Sequence, residues 1–93
     1  MGLFSRKPQQ PEEELAKPMN REIDLNPSRK NLEWEDAYTL WTDNYSTMRM
    51  EHGWKVYEVD DASEFVIWQI DEVKVLATFD YNTGIVTEEI VLK

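Results

Sequence analysis

The side chains able to do chemistry are few and scattered. His52 is the only histidine, and there is no cysteine, which excludes disulfides and thiolate metal sites. No serine is framed by glycines, so an activated nucleophile with a base beside it has no signature here. The three glycines, at 2, 53 and 84, are too dispersed to cradle a phosphate. A lone histidine near a helix end more often complements the helix dipole than binds a metal. Carboxylates are the abundant chemical group. Asp60 and Asp61 sit in one turn and Asp80 opens another, and in a meander those turns fall at the same end. The spacing of an EF-hand is absent, and turns recruit aspartate for local hydrogen bonds, so no metal or other cofactor is expected. Acid–base catalysis needs carboxylates held in a cleft, and only Glu88 points inward by strand alternation. At the rim of the sheet it would reach water. No catalytic residue is assigned, and a non-enzymatic protein is expected.

The elements that position these groups are clearest between Glu64 and Leu92. Glu64–Ile70, Val73–Phe79 and Ile85–Leu92 are β-rich runs separated by Asp71-Glu72 and by Asp80-Tyr81-Asn82-Thr83-Gly84. A two-residue loop at Asp71-Glu72 sets Ile70 opposite Val73, Trp68 opposite Val75 and Val66 opposite Ala77. Val66, Trp68, Ile70, Val73, Val75, Ala77 and Phe79 then share one apolar face, which has to be covered. An even loop at Tyr81–Gly84 turns Val86, Ile90 and Leu92 to the same side, with Glu88 among them. The run Thr78-Phe-Asp-Tyr-Asn-Thr-Gly-Ile-Val86 is similar to the closing hairpin of PepSY-type domains. The likeness covers nine residues and carries no function with it.

Trp34, Ala37, Tyr38, Trp41, Tyr45 and Met48 follow alternating steps of three and four, one stripe of an amphipathic helix. Asn26-Pro27 or Asn31 would start it and Gly53 would end it. This helix is the natural cover for the apolar face. Trp54–Val59 reads as the first strand, and its register is open. An even loop at Asp60–Ser63 puts Lys55, Tyr57 and Val59 on the helix side, an odd one Trp54, Val56 and Glu58. The even loop is preferred because lysine can snorkel at a sheet edge. Residues 1–30 hold all four prolines and read as a flexible tail, with a short helix over Glu12–Lys17 as one option. The expected architecture is α+β: one amphipathic helix packed on a four-stranded antiparallel meander (αββββ), spanning residues 31–93 behind that tail.

The formal net charge is −9, and fourteen of the nineteen acidic groups but four of the ten basic ones fall in residues 31–93. A field of that sign repels nucleic acid and anionic lipid, and it suits a basic protein partner or simple solubility. Leu3-Phe4 beside Arg6-Lys7 could touch a membrane surface but is too short to anchor the chain. Arg6 stands where a myristoylation start requires serine or threonine. With no apolar run of membrane-spanning length and no signal-peptide core, a cytoplasmic location is expected.

The second face of the sheet then becomes the feature that points to function. Phe65, Ile67 and Leu76 cluster there, joined by Trp54 and Val56 in the expected register, with Asp60, Asp61 and Asp80 at its margin. One helix cannot cover two faces. Either Ile23 and Leu25 fold back over the patch, or another chain covers it, a second copy included, or it stays partly wet. The first and last strands are expected edges, the last guarded by Glu88-Glu89 and the first open to a partner strand. The leading expectation is a protein–protein interaction module using this carboxylate-rimmed face. The alternatives are an acidic DNA-mimic inhibitor of a nucleic-acid-binding protein, of phage or mobile-element type, or an immunity-type protein against a basic toxin.

Overall fold

The computed structural model describes residues 16–92. The Leu3-Phe4 and Arg6-Lys7 patch lies outside the described residues, as do positions 12–15 of the short helix expected over Glu12–Lys17. Five strands form one antiparallel sheet: β1 (Arg21–Asp24), β2 (Lys55–Val59), β3 (Phe65–Ile70), β4 (Val73–Asp80) and β5 (Ile85–Leu92). Their order is β1-β5-β4-β3-β2. Between β1 and β2 the chain crosses one face as a single helix, α1, made of the consecutive segments Trp34–Thr39, Leu40–Tyr45 and Ser46–Glu51. The α+β class and the antiparallel sheet are as expected. The strand count is not, because the fifth strand comes from the stretch assigned to the tail.

The central hairpin forms in the expected register, with Ile70 opposite Val73, Trp68 opposite Val75 and Val66 opposite Ala77. Asp71 supplies the positive φ, 54°, that a two-residue loop demands. The β4–β5 turn closes with Asp80 opposite Ile85, and the Gly84 amide donates to the Asp80 carbonyl at 2.8 Å. Gly84 has φ +80°, and a Cβ there would stand 2.8 Å from Asn26 Cβ. The glycine is needed twice, once for the turn and once because the β1–α1 loop packs onto it. Val86 and Glu88 point to the helix side as expected, while a bulge between Lys74 and Val75 brings Leu92 opposite Lys74 and ends the alternation.

β1 pairs with β5 over Arg21–Glu88, Glu22–Thr87, Ile23–Val86 and Asp24–Ile85. A strand left at the edge keeps unpaired backbone groups, and β1 supplies partners for those of β5. Ile23 and Leu25 therefore do fold back, but as a ladder beside β5 and onto the core rather than over the opposite face. Glu88-Glu89 accordingly do not guard an edge.

α1 begins later than either asparagine suggested. Its N-cap is Glu33, with no side-chain cap bond, and Glu35 and Asp36 complement the first turn. Asn26 instead ties a loop, accepting from the Lys30 amide at 3.2 Å and donating to the Lys30 carbonyl at 3.0 Å. The helix ends as expected. Gly53 has φ +89°, its amide donates to the Met50 carbonyl at 3.1 Å, and the Trp54 amide donates to the Arg49 carbonyl at 3.1 Å. This is a Schellman stop.

The core is Ala37, Trp41 and Tyr45 from α1 packed on Val66, Trp68, Val75, Ala77, Phe79 and Val86, with Trp54 beside them. Trp41 stacks on Phe79 at 5.0 Å and on Tyr45 at 5.1 Å between ring centroids. Trp34, the first residue of the expected stripe, is 62 % exposed and stacks on Tyr38 and Tyr81 at the surface instead.

Candidate functional site

Two places on this scaffold concentrate chemistry: a buried carboxylate under α1, and the opposite face of the sheet. The buried site begins with spacing. Ala37, Trp41, Tyr45 and Arg49 recur every four residues. In an α-helix each step of four overshoots a full turn by about 40°, so such a series drifts off one face. The middle segment, Leu40–Tyr45, is a π-helix, and its wider turn absorbs the drift. The Ser46 hydroxyl donates to the Trp41 carbonyl at 3.1 Å inside this wider turn. The result is that Arg49 stays on the buried face, at 0 % exposure, facing Glu88, also at 0 %.

Around Glu88 the partners converge from three elements. Arg49 forks onto it, Nε to Oε2 at 2.8 Å and Nη2 to Oε1 at 2.9 Å. Arg21 Nε of β1 lies 3.1 Å from Oε1. The Tyr45 hydroxyl donates to Oε2 and accepts from the Trp68 indole N–H at 3.1 Å. The Schellman stop sets the Trp54 ring against the other side of Arg49, whose guanidinium carbon is 4.3 Å from the ring centroid. Burial, then the charge and hydrogen bond of Glu88, push the Tyr45 hydroxyl far above its ordinary value of 10.0. Chemically this is a closed structural knot: the carboxylate accepts charge-assisted hydrogen bonds and is held by paired guanidinium groups rather than presented to a substrate. Glu88 was legible as an inward acid, but it lies in the core and not at a water-reaching rim. Arg21 and Arg49 were not anticipated. The signal that could have found Arg49 is the continuation of the four-residue series beyond Tyr45.

The opposite face has a different character. Cα pairing places Phe65 with Thr78, Ile67 with Leu76, Leu76 with Glu89, Thr78 with Thr87, and Asp80 and Asp24 with Ile85. Phe65, Ile67, Leu76 and Ile85 are half-buried, and no described element lies over them. Thus three of the residues expected on this face, Phe65, Ile67 and Leu76, are there together.

Trp54 is not. It is 1 % exposed and belongs to the core, where its ring meets Trp68 edge-on at 6.2 Å. Val56 also sits on the helix side, opposite Trp68, though it is 51 % exposed. The cause is a bulge between Val56 and Glu58. Val59 pairs with Val66 on the helix side, as the even loop requires, and the extra residue then reverses the remaining alternation. Lys55 pairs with Gln69 and lies on the reverse side, contrary to expectation. Tyr57 also turns to that side, with Lys74 Nζ 4.5 Å from its ring centroid. All five residues of β2 are exposed, and β2 is the sheet edge.

The turn acids do come to one end. The Tyr81 hydroxyl in the β4–β5 turn donates to the Ser63 carbonyl in the β2–β3 turn at 2.9 Å. Burial, followed by nearby Tyr38, Asp60 and Glu64, raises the Tyr81 hydroxyl above its usual range. Asp60 and Asp80 are engaged in their own turns: Asp60 Oδ1 accepts from the Glu64 and Phe65 amides at 2.7 and 3.0 Å, and Asp80 Oδ1 from the Asn82 amide at 2.8 Å. Asp61 is exposed. Among the described residues, no group of three or more histidine or acidic side chains is placed to hold a metal ion. His52 sets Nδ1 2.8 Å from the Met48 carbonyl, a contact with the helix end.

Beside this end a recess of about 590 Å³ opens on the reverse face, lined by Glu22, Glu64, Thr78, Asp80, Ile85 and Thr87 among others. Glu88 is not part of its lining. Among the described residues, no helix is long and apolar enough to cross a membrane. Comparison with family models, with curated proteins and with solved structures returns no match.

Proposed function

We propose that the domain is a non-enzymatic protein-interaction module that presents the reverse face of its sheet. The observation behind this reading is the apolar strip Phe65, Ile67, Leu76 and Ile85, half-buried with no described layer over it, on a sheet whose other face carries the core beneath α1. Exposed apolar surface of this kind on a small domain marks interaction more often than accident. The strip runs toward the edge strand, where Tyr57 stands 54 % exposed. The carboxylates form the margin: Glu22, Asp24, Glu58, Asp80 and Glu89 point to this side or its rim.

The test is Ile67→Asp in the full chain. The variant is expected to keep the wild-type thermal midpoint to within a few degrees and to lose the partner that the wild type captures from host extract. If it unfolds, the strip is core, and the interaction reading fails. A second reading, an acidic inhibitor that imitates DNA or neutralises a basic toxin, draws on the same carboxylates. It requires that duplex DNA compete with the captured partner and that Ile67→Asp leave capture intact.

A further inference from the structure

Resting on that reading, we infer that the reverse face takes a cationic amphipathic segment of another protein, with apolar side chains on the strip and an arginine or lysine in the recess beside it. The occupant follows from charge. Of the ionisable groups that pairing assigns to this side, Glu22, Asp24, Glu58, Asp80 and Glu89 are acidic, and Lys55 and Lys74 are basic. The basic groups lie toward one end: Lys55 opposite Gln69, and Lys74 over the Tyr57 ring. The acids gather toward the other, where Glu22 of β1, Glu64 just before β3 and Asp80 at the end of β4 line the recess.

The cation paired with the acids of this side is already committed. Arg29 holds Asp24 at 2.6 Å, and backbone and side-chain bonds from Asn26 and Arg29 keep the Asp24 carboxyl below its usual range. No ion pair within 4.0 Å joins Glu22, Glu64 or Asp80 to a base among the described residues. Three acidic residues line this open recess, and a guanidinium set among them would offset their like charge and gain charge-assisted hydrogen bonds. An anionic or neutral segment of the same shape would leave that charge in place. Phe65, Ile67 and Leu76 lie next to the recess across the β3–β4 ladder, so one short segment can reach both.

The experiment titrates the isotope-labelled full chain with three designed helical peptides of one leucine face, flanked by arginine, by glutamine or by glutamate. The arginine peptide is expected to perturb the amides of Ile67, Leu76, Thr78 and Ile85. Its affinity is expected to fall about tenfold between about 0.05 and 0.3 M NaCl. The E22Q/E64Q/D80N variant should weaken it by about tenfold. Asparagine at position 80 keeps the Oδ1 that accepts from Asn82. A control, E35Q/D36N/D43N on the exposed side of α1, should leave binding unchanged.

Equal binding of the glutamine peptide at these amides overturns the cationic occupant while the interaction reading survives. Equal loss in the control variant, or perturbation elsewhere on the surface, overturns it as non-specific attraction. If no peptide perturbs the face, the inference fails, and the Ile67→Asp capture experiment judges the wider reading separately.

Discussion

Glu88 shows how one residue can be legible while its role is not. Strand alternation from the Gly84 turn is enough to aim it inward, and it is fully buried. Its partners lie 39 residues away at Arg49 and 43 away at Tyr45, and no local pattern couples them. Replacing a buried ion pair with apolar groups can be harmless, but removing one partner strands the other charge. Arg49→Met is therefore expected to destabilise the domain by about 3–5 kcal/mol, read as a lower urea midpoint at unchanged slope. Tyr45 adds a pH signature. Its hydroxyl is neutral below the ordinary value of 10.0, and the fold holds it neutral well above that. Above pH 10 the unfolded chain loses this proton and the folded chain does not, so stability is full below pH 10 and declines as pH rises beyond it. The decline approaches about 1.4 kcal/mol per pH unit. Tyr45→Phe should cost about 1–3 kcal/mol at neutral pH, by leaving Glu88 and the Trp68 N–H each short of a partner. It should also flatten the alkaline slope, and urea melts between pH 9 and 11 would measure both effects; a slope as steep as wild type would assign it to the other tyrosines.

At the scale of elements, what was readable was what is local. Both hairpins of β3, β4 and β5 follow from alternation and turn chemistry, because each register is set by the few residues of its own loop. The C-terminal stop of α1 follows from Gly53. β1 was hidden because its four residues stand behind a proline-bearing stretch and pair with a strand more than sixty residues on. The bulge at Val56–Glu58 was hidden because one inserted residue has no signature in hydrophobicity alone. The late start of α1 came from Asn26 serving a loop rather than a cap. Two glycines now make a contrast that isolates backbone from packing. Gly53 has nothing within 4 Å of a built Cβ, so Gly53→Ala should lose only the left-handed preference, about 1 kcal/mol. Gly84→Ala has the same backbone penalty and also meets Asn26 and Leu32, so its midpoint should fall further. Equal losses would mean that the β1–α1 loop yields without cost. Removing residues 1–25 takes away β1 and Arg21 together. It bares the β5 edge, so a lower midpoint with concentration-dependent association by light scattering is expected; an unchanged, monomeric product would show that β1 contributes little.

Seen as a whole, the molecule separates its polar investment into two layers of opposite logic. Beneath α1 the acid is outnumbered and fixed: Glu88 lies among Arg21, Arg49 and Tyr45. On the other side the acids predominate and stand open around an apolar strip. With a formal charge of −9 the folded state carries more self-repulsion than the expanded chain, since compaction brings like charges closer. Salt screens charges separated by more than about 10 Å at 0.1 M, and reaches exposed pairs far more than buried ones. Raising NaCl from about 0.02 to 0.3 M should therefore stabilise this domain, because it relaxes the rim while leaving the Glu88 cluster largely untouched. The same increase should stabilise E22Q/E64Q/D80N less, since part of the repulsion is already gone, and that variant should start from a higher thermal midpoint at low salt. Calorimetry of both chains across the salt series measures the two slopes. A wild-type midpoint that falls with salt would mean that surface attraction outweighs rim repulsion, and the recess would then have no electrostatic reason to seek a cation.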